Sequence, residues 1–355
     1  MTATTPTRSA TQKDVAKALG LSQATVSRAL RNLANVPAPL RRRILATARK
    51  LGYRANASAT TLSYARFARH AKPIQAELAW LNVRATPEEL RANPFFDLCW
   101  RGASAQARKL GYQLEEFSLH EIGSLKRLEQ ILLARGIEGI LLPPKGLSRW
   151  DCHDFQWDRF CTVRMSRTVT EPRVHLVTTN QVANAIQAFQ EMRARGYERI
   201  GFFMIEHGSL PLRRHFAYGY LGAQMEMPPS QRLAIFDCPS QSARDLFCPR
   251  EDAQDLFERW LIRERPDAIL TDWGIGDMVR KAGYRIPEEI GLAHTSVSAG
   301  ETNAGIFENP REIGRASVNL LASLIHDQDR GIPSIFHQVL IEGNWVDGIT
   351  LPQRK

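Results

Sequence analysis

From residue 76 to residue 345 short apolar runs alternate with amphipathic stretches, and that alternation leaves few folds open. The stretches "ELAWLNV" (77–83), 111–117, "IEGILLPP" (137–144) and "FCTVRM" (160–165) read as strands. So do "RIGFFMI" (199–205), "RLAIFD" (232–237), "PDAILTD" (266–272), "IGLAHT" (290–295) and "HQVLIEGNWV" (337–346). Residues 95–110, 125–136, 180–197, 215–226, 251–264 and 310–325 carry helical periodicity between them. Strand–helix alternation of this kind builds parallel sheets covered by helices on both faces. About 270 residues exceed one comfortable hydrophobic core, so two α/β lobes are expected.

The first fifth of the chain is different. Residues 1–72 hold 14 Lys and Arg against one acid, Asp14, while the rest of the chain carries a net charge of −3. A basic module on a near-neutral body points to a polyanionic partner. No apolar run reaches the roughly 18–20 residues of a membrane helix, and the first residues lack the apolar centre of a secretory signal. The five cysteines, Cys99, Cys152, Cys161, Cys238 and Cys248, are scattered and form no C-x-x-C pair. Neither a disulfide framework nor a metal site is expected, and a reducing cytoplasm fits.

Within the basic segment the apolar spacing predicts three helices. Thr11 with Asp14 forms a capping-box pattern ahead of the first helix (14–19), on which Val15 and Leu19 share a face. Gly20 ends it, and Ser22 caps a second helix over 23–31 with Val26 and Leu30 inward. A third helix, 39–51, buries Leu40, Ile44, Ala48 and Leu51, and Tyr53 packs back. Two short helices around a glycine turn make a helix-turn-helix, whose second helix enters the major groove. Gln23, Ala24 and Arg28 are its candidate base readers: Gln pairs with adenine, Arg with guanine, and Ala touches a thymine methyl. Ser22, Thr25 and Ser27, together with Thr11, are candidates for phosphate contacts that set the register. Residues 54–70 are small and polar, with Leu62 standing alone as an apolar residue. Such a segment can order on a DNA surface, where a leucine wedges into the minor groove.

The motifs "KDVAKALGLSQATVSRALRN", "RRRILATARKLGY" and "NASATTL" resemble the LacI/GalR family of bacterial transcription regulators. More weakly, "RARGYERIGFFM", "RPDAILTD" and "VLIEGNWVDG" resemble the family's effector-binding body. The resemblance implies an all-α three-helix headpiece with a hinge helix, followed by an α/β, two-lobed periplasmic-binding-protein-like (type 1) domain. The implied divisions are an N-terminal arm (1–10), the headpiece (11–53), a hinge and linker (54–73) and the effector and dimerisation domain (74–355). Lobe 1 would comprise about 74–164 and 296–329, and lobe 2 about 166–293 and 331–350, with crossovers near 165, 294 and 330. Asn56, Ala59 and Leu62 fall at hinge positions, with Leu62 at the minor-groove wedge. The sequence departs from the family at Ala55, Pro37, Thr60 and Thr61.

For the effector cleft the resemblance points to Phe96 as a ring stacked on the ligand, though a core role for it is equally open. Phe216 stands where the family often has an arginine, and Arg213 or Arg214 could substitute. Trp273 and Thr295 replace polar groups that grip sugars in many members, which points to an unusual effector or to the loss of small-molecule sensing. The implied partners are an operator in double-stranded DNA, a carbohydrate-like effector and a second copy of the chain, on the nucleoid in the bacterial cytoplasm, with no membrane and no cofactor. Enzyme signatures (G-x-S-x-G, a P-loop, H-E-x-x-H, G-x-G-x-x-G after a strand) are absent, so an enzyme fused to the DNA-binding unit is disfavoured. A body that binds a protein partner is the other alternative.

Overall fold

The computed structural model describes residues 10–30, 37–51, 53, 76–83, 86–144, 152–205, 211–239, 250–271 and 274–354. The N-terminal unit is three helices, α1 (Gln12–Leu19), α2 (Gln23–Leu30) and α3 (Ala38–Lys50). Its core is a cluster of Val15, Ala16, Val26, Ala29, Ile44 and Ala48, against which Leu40 and Tyr53 pack. Leu51, expected inside, is 41% exposed, because α3 ends at Lys50 and Leu51 falls in the turn beyond it.

The body opens with β1 (Ala76–Asn82), α4 (Pro87–Ala92), α5 (Pro94–Lys109), β2 (Tyr112–Ser118), α6 (Leu119–Ile122), α7 (Leu125–Ala134), β3 (Gly139–Leu142), β4 (Cys161–Arg164) and β5 (His175–Thr179). It continues with α8 (Gln181–Ala194), β6 (Ile200–Ile205), α9 (Pro211–Gln224), β7 (Phe236–Cys238), α10 (Ala253–Glu264), β8 (Ala268–Thr271), α11 (Gly276–Lys281), β9 (Gly291–His294) and β10 (Ala304–Phe307). It closes with α12 (Pro310–Asp327), β11 (Gln338–Ile341) and β12 (Asn344–Val346). Two six-stranded sheets result, ordered β11-β5-β4-β3-β1-β2 and β12-β10-β9-β8-β6-β7. Among the described residues every pairing is parallel except that of β10 with β12, which is antiparallel.

The lobes are therefore divided differently from the expected crossovers. The chain does not leave the first sheet near 165, because the wholly buried run His175–Thr179 forms a fifth strand beside β4. It passes to the second lobe between β5 and α8, at residue 180. It does not return near 294, because β10 extends the second sheet beside β9; the return is at Glu308–Asn309. The expected strand 337–346 is two strands in different sheets, so the third crossover is at Glu342–Gly343 rather than near 330. A Cβ at Gly343 would lie 2.2 Å from Ile306 Cγ2 and 3.0 Å from the Phe307 carbonyl oxygen, so only glycine lets the chain switch sheets there. The expected strand 232–237 shrinks to β7, residues 232–235 being irregular after a short 3-10 helix.

Helices pack on both faces of each sheet. Between α5 and α12 the approach is close enough that a Cβ at Gly314 would sit 2.0 Å from the Cys99 carbonyl oxygen, and one at Gly102 2.0 Å from that of Arg311. In the second lobe Phe203, Phe236, Phe257 and Trp260 form an aromatic cluster with ring centroids 5.2–5.7 Å apart.

Candidate nucleic-acid interface and interlobe cleft

The start of α1 and the turn from α1 to α2 are built from local bonds. Thr11 Oγ1 accepts from the Asp14 amide (3.3 Å), and the Asp14 carboxylate accepts from the Thr11 amide (2.8 Å) and hydroxyl (2.7 Å). Gly20 takes the left-handed conformation (φ 65°) that ends α1 and turns the chain. Ser22 Oγ then accepts from the Thr25 amide at 3.1 Å and shares a hydrogen bond with the Thr25 hydroxyl at 2.8 Å. Val26 and Ala29 face the core, so Gln23 stands exposed at the start of α2. Ala24 and Arg28 lie on the same helix, with side chains outside the described residues. Ser27 is half-buried, and the hydroxyls of Thr11, Ser22 and Thr25 are already engaged in the caps. The hinge positions Asn56, Ala59 and Leu62 fall outside the described residues. No acid lies in the first turn of α2, and Arg42, Arg43, Arg49 and Lys50 are exposed on α3.

In the body, strands β1–β5 with β11, and β6–β10, run parallel within their sheets, and β5, β10 and β11 lead directly into the three crossovers. The C-terminal strand ends of both sheets therefore face the space between the lobes, the usual ligand position in open α/β sheets. Phe96, in the first turn of α5, is half-buried; Phe95, not Phe96, packs on the core, and the two rings meet edge to face at 6.0 Å. Phe216 is a core residue. Arg214 is exposed on α9, while the Arg213 side chain and all of Trp273 fall outside the described residues. Thr295 is 1% exposed, its amide donates to the Thr271 carbonyl (2.8 Å), and its hydroxyl has no hydrogen-bond partner among the described residues. At the end of β2 the buried Ser118 hydroxyl likewise has none.

Sequence reasoning missed the polar residues at the crossovers. Arg167 Nη2 donates to Gln338 Oε1 (2.9 Å) and its Nε to Gln181 Oε1 (3.3 Å); burial holds its pKa below the usual arginine range. Asn184 and Gln181 sit on the buried face of α8 among Ala185, Ala188 and Phe189, and two polar residues heading an apolar stripe were the available signal. Glu308 follows the apolar run "AGIF", and a carboxylate directly after a buried strand was a second signal. It restores an acid near Thr295: Ser296 Oγ donates to Glu308 Oε2 at 2.7 Å.

Residues 11–56 match the family model "Bacterial regulatory proteins, lacI family". The chain carries a lacI-family DNA-binding domain. Over 198 residues it is 25% identical to the HTH-type transcriptional regulator GalS of Salmonella typhimurium, covering 56% of this chain and 54% of that one. The match thus spans about half the length of that curated relative. The fold of the body is shared with solved structures. A transcriptional regulator CelR–cellobiose complex superposes with a TM-score of 0.53 at 17% identity, covering 96% of this chain and 99% of that one. The lac repressor dimer bound to operator and the anti-inducer ONPF gives 0.52 at 16% identity, with 97% and 100% covered. A LacI family regulator from Enterococcus faecium with bound ribose gives 0.53 at 14% identity, with 78% and 100% covered. Among the described residues no helix is long and apolar enough to cross a membrane.

Proposed function

We propose that the chain is a sequence-specific transcription repressor of the LacI type, acting in the bacterial cytoplasm as a homodimer on a pseudo-palindromic operator. The observation that carries this reading is the helix-turn-helix with Gln23 exposed at the start of a helix free of acid in its first turn. Two copies related by two-fold symmetry would read two half-sites. Gln23, Ala24 and Arg28 read bases, and Thr11, Ser22, Thr25 and Ser27 set register on phosphates. The last role requires hydroxyls now engaged in caps to share their remaining lone pairs or to re-orient. Asn56, Ala59 and Leu62 form the hinge contact with the minor groove.

A small polar effector, carbohydrate-like, is proposed to bind between the lobes against Phe96, Arg213, Arg214, Trp273 and Thr295. The unmatched Thr295 and Ser118 hydroxyls support a ligand rich in hydrogen-bonding groups, since buried polar atoms are ordinarily paired. Effector binding would bias lobe closure and through it the hinge. Thermal unfolding of the purified chain against mono- and oligosaccharides, sugar phosphates and nucleosides tests the cleft. A ligand at about 100 times its Kd adds roughly 2.7 kcal/mol of stability. Absence of any shift across the panel would turn the reading towards a body that binds a protein partner.

A further inference from the structure

Strand β11 is an edge of the first sheet: it pairs with β5 and, among the described residues, with no strand on its other side. The Leu176 amide donates to the His337 carbonyl (3.0 Å), and the Asn180 amide to that of Ile341 (2.8 Å). His337, Val339 and Ile341 therefore turn their main-chain groups towards β5, and Gln338 and Leu340 turn theirs outward. The Val339 and Ile341 side chains pack on the core, so those of Gln338 and Leu340 lie on the opposite face, where both are exposed. From Gly331 to Ile341 the chain has no Asp, Glu, Lys or Arg. Three arginines nevertheless stand beside it. Arg164 of β4 is in register with Leu176 and through it with Gln338. It is 8% exposed and donates to the carbonyls of Val169 and Val174. Its guanidinium lies 5.8 Å from the centre of the Phe336 ring, and that of the exposed Arg173 lies 4.6 Å from the same ring. Arg167 donates to Gln338. All of these partners are uncharged, and among the described residues none of the three arginines is ion-paired. Burial and the charges of Arg167 and Arg173 push the Arg164 pKa down to about 10, with Glu171 opposing.

We propose that the β11 edge docks an extended acidic segment of a partner protein, which joins the first sheet as a further strand with carboxylates at alternate positions against Arg167 and Arg173. The outward main-chain groups of Gln338 and Leu340 supply the strand-to-strand bonds. The arginines supply the choice of partner, since their charge is left to be met from outside the chain. Arg173 sits at Phe336 and Arg167 at Gln338, two residues apart. That is on the order of 7 Å along a strand, the spacing of side chains that share a face of an added strand. A second copy of the chain fits this edge badly. Pairing β11 with itself about a two-fold axis would set arginines against arginines, and like charges on facing strands repel. Nor do the arginines blunt the edge in the usual way: they belong to β4 and the loop after it, and the four residues of β11 itself are uncharged. The docking edge does not depend on which effector the cleft takes.

Fluorescence anisotropy of a labelled peptide of alternating Glu and Val, titrated with the full chain at low salt, tests it. The same peptide with Gln for every Glu should bind about tenfold or more weakly. Arg173→Glu should weaken the acidic peptide by a similar factor. So should Leu340→Pro, which removes an outward amide and leaves the bonds to β5 in place. Hydrogen exchange should show the acidic peptide protecting segment 336–341. No binding at about 1 mM, or binding that neither variant changes, as from the basic headpiece, would overturn the proposal. Sedimentation in which Leu340→Pro turns dimers into monomers would also overturn it, by giving the edge to a second copy. Should Leu340→Pro not fold, Arg173→Glu decides the matter at an exposed position, and unchanged affinity there would equally overturn the docking edge.

Discussion

Ile44→Ala is expected to unfold the N-terminal helical unit and abolish DNA binding while the thermal transition of the body stays where it was. The unit's core is six buried side chains, and Ile44 is the largest of them, wholly buried where α3 meets α1 and α2. Removing its three outer carbons from such a site costs about 2–5 kcal/mol. A unit this small buries too little surface to have that much in reserve. The body has clusters of its own, separate from the headpiece cluster, so the loss should not spread. Calorimetry and a gel-shift assay on the same preparation read both halves. Operator-strength binding by Ile44→Ala would show that the three-helix unit is not what holds DNA.

Gly314→Val should destabilise the first lobe by about 3 kcal/mol or more, at the upper end of what overpacking costs. The first added carbon already falls 2.0 Å from the Cys99 carbonyl oxygen and 2.8 Å from the Ala103 amide nitrogen. Both are backbone atoms of α5, so neither can swing aside; the two helices must separate, and the cluster of Cys99, Ala103, Ile313 and Val318 opens with them. Gly222 in α9 is the contrast, since a Cβ there meets nothing within 4 Å. Gly222→Ala should stabilise by about 0.5–1 kcal/mol through helix propensity alone. Urea midpoints of the two variants check this directly; similar shifts of the same sign would contradict the close helix contact.

Local signals were legible in the sequence and long-range ones were not. The Thr11–Asp14 box, the Gly20 turn, the Ser22 cap and the inward faces of Val15 and Val26 are each decided within a few residues. The structure has all of them. The two-sheet α/β body was equally readable, because strand and helix periods alternate plainly. Sheet membership was not. His175–Thr179 and Ala304–Phe307 are runs of four or five residues whose place depends on pairing with β4 and β9, and nothing local says on which side of a crossover they fall. For the same reason "HQVLIEGNWV" reads as one strand although Gly343 divides it between sheets. Asn184 takes its meaning from the fold alone, where its amide joins Thr179 to the distant Gly343.

The most direct test of the DNA-reading claim is selection of bound duplexes from a random pool by the purified full chain, run side by side with Gln23→Ala. Enrichment of near-palindromic sites by the wild type is expected, and for Gln23→Ala the same site with preference lost at one symmetric base pair. That loss corresponds to about 1–3 kcal/mol of discrimination. Binding without enrichment, or an unchanged preference at every position of the site in Gln23→Ala, would contradict it.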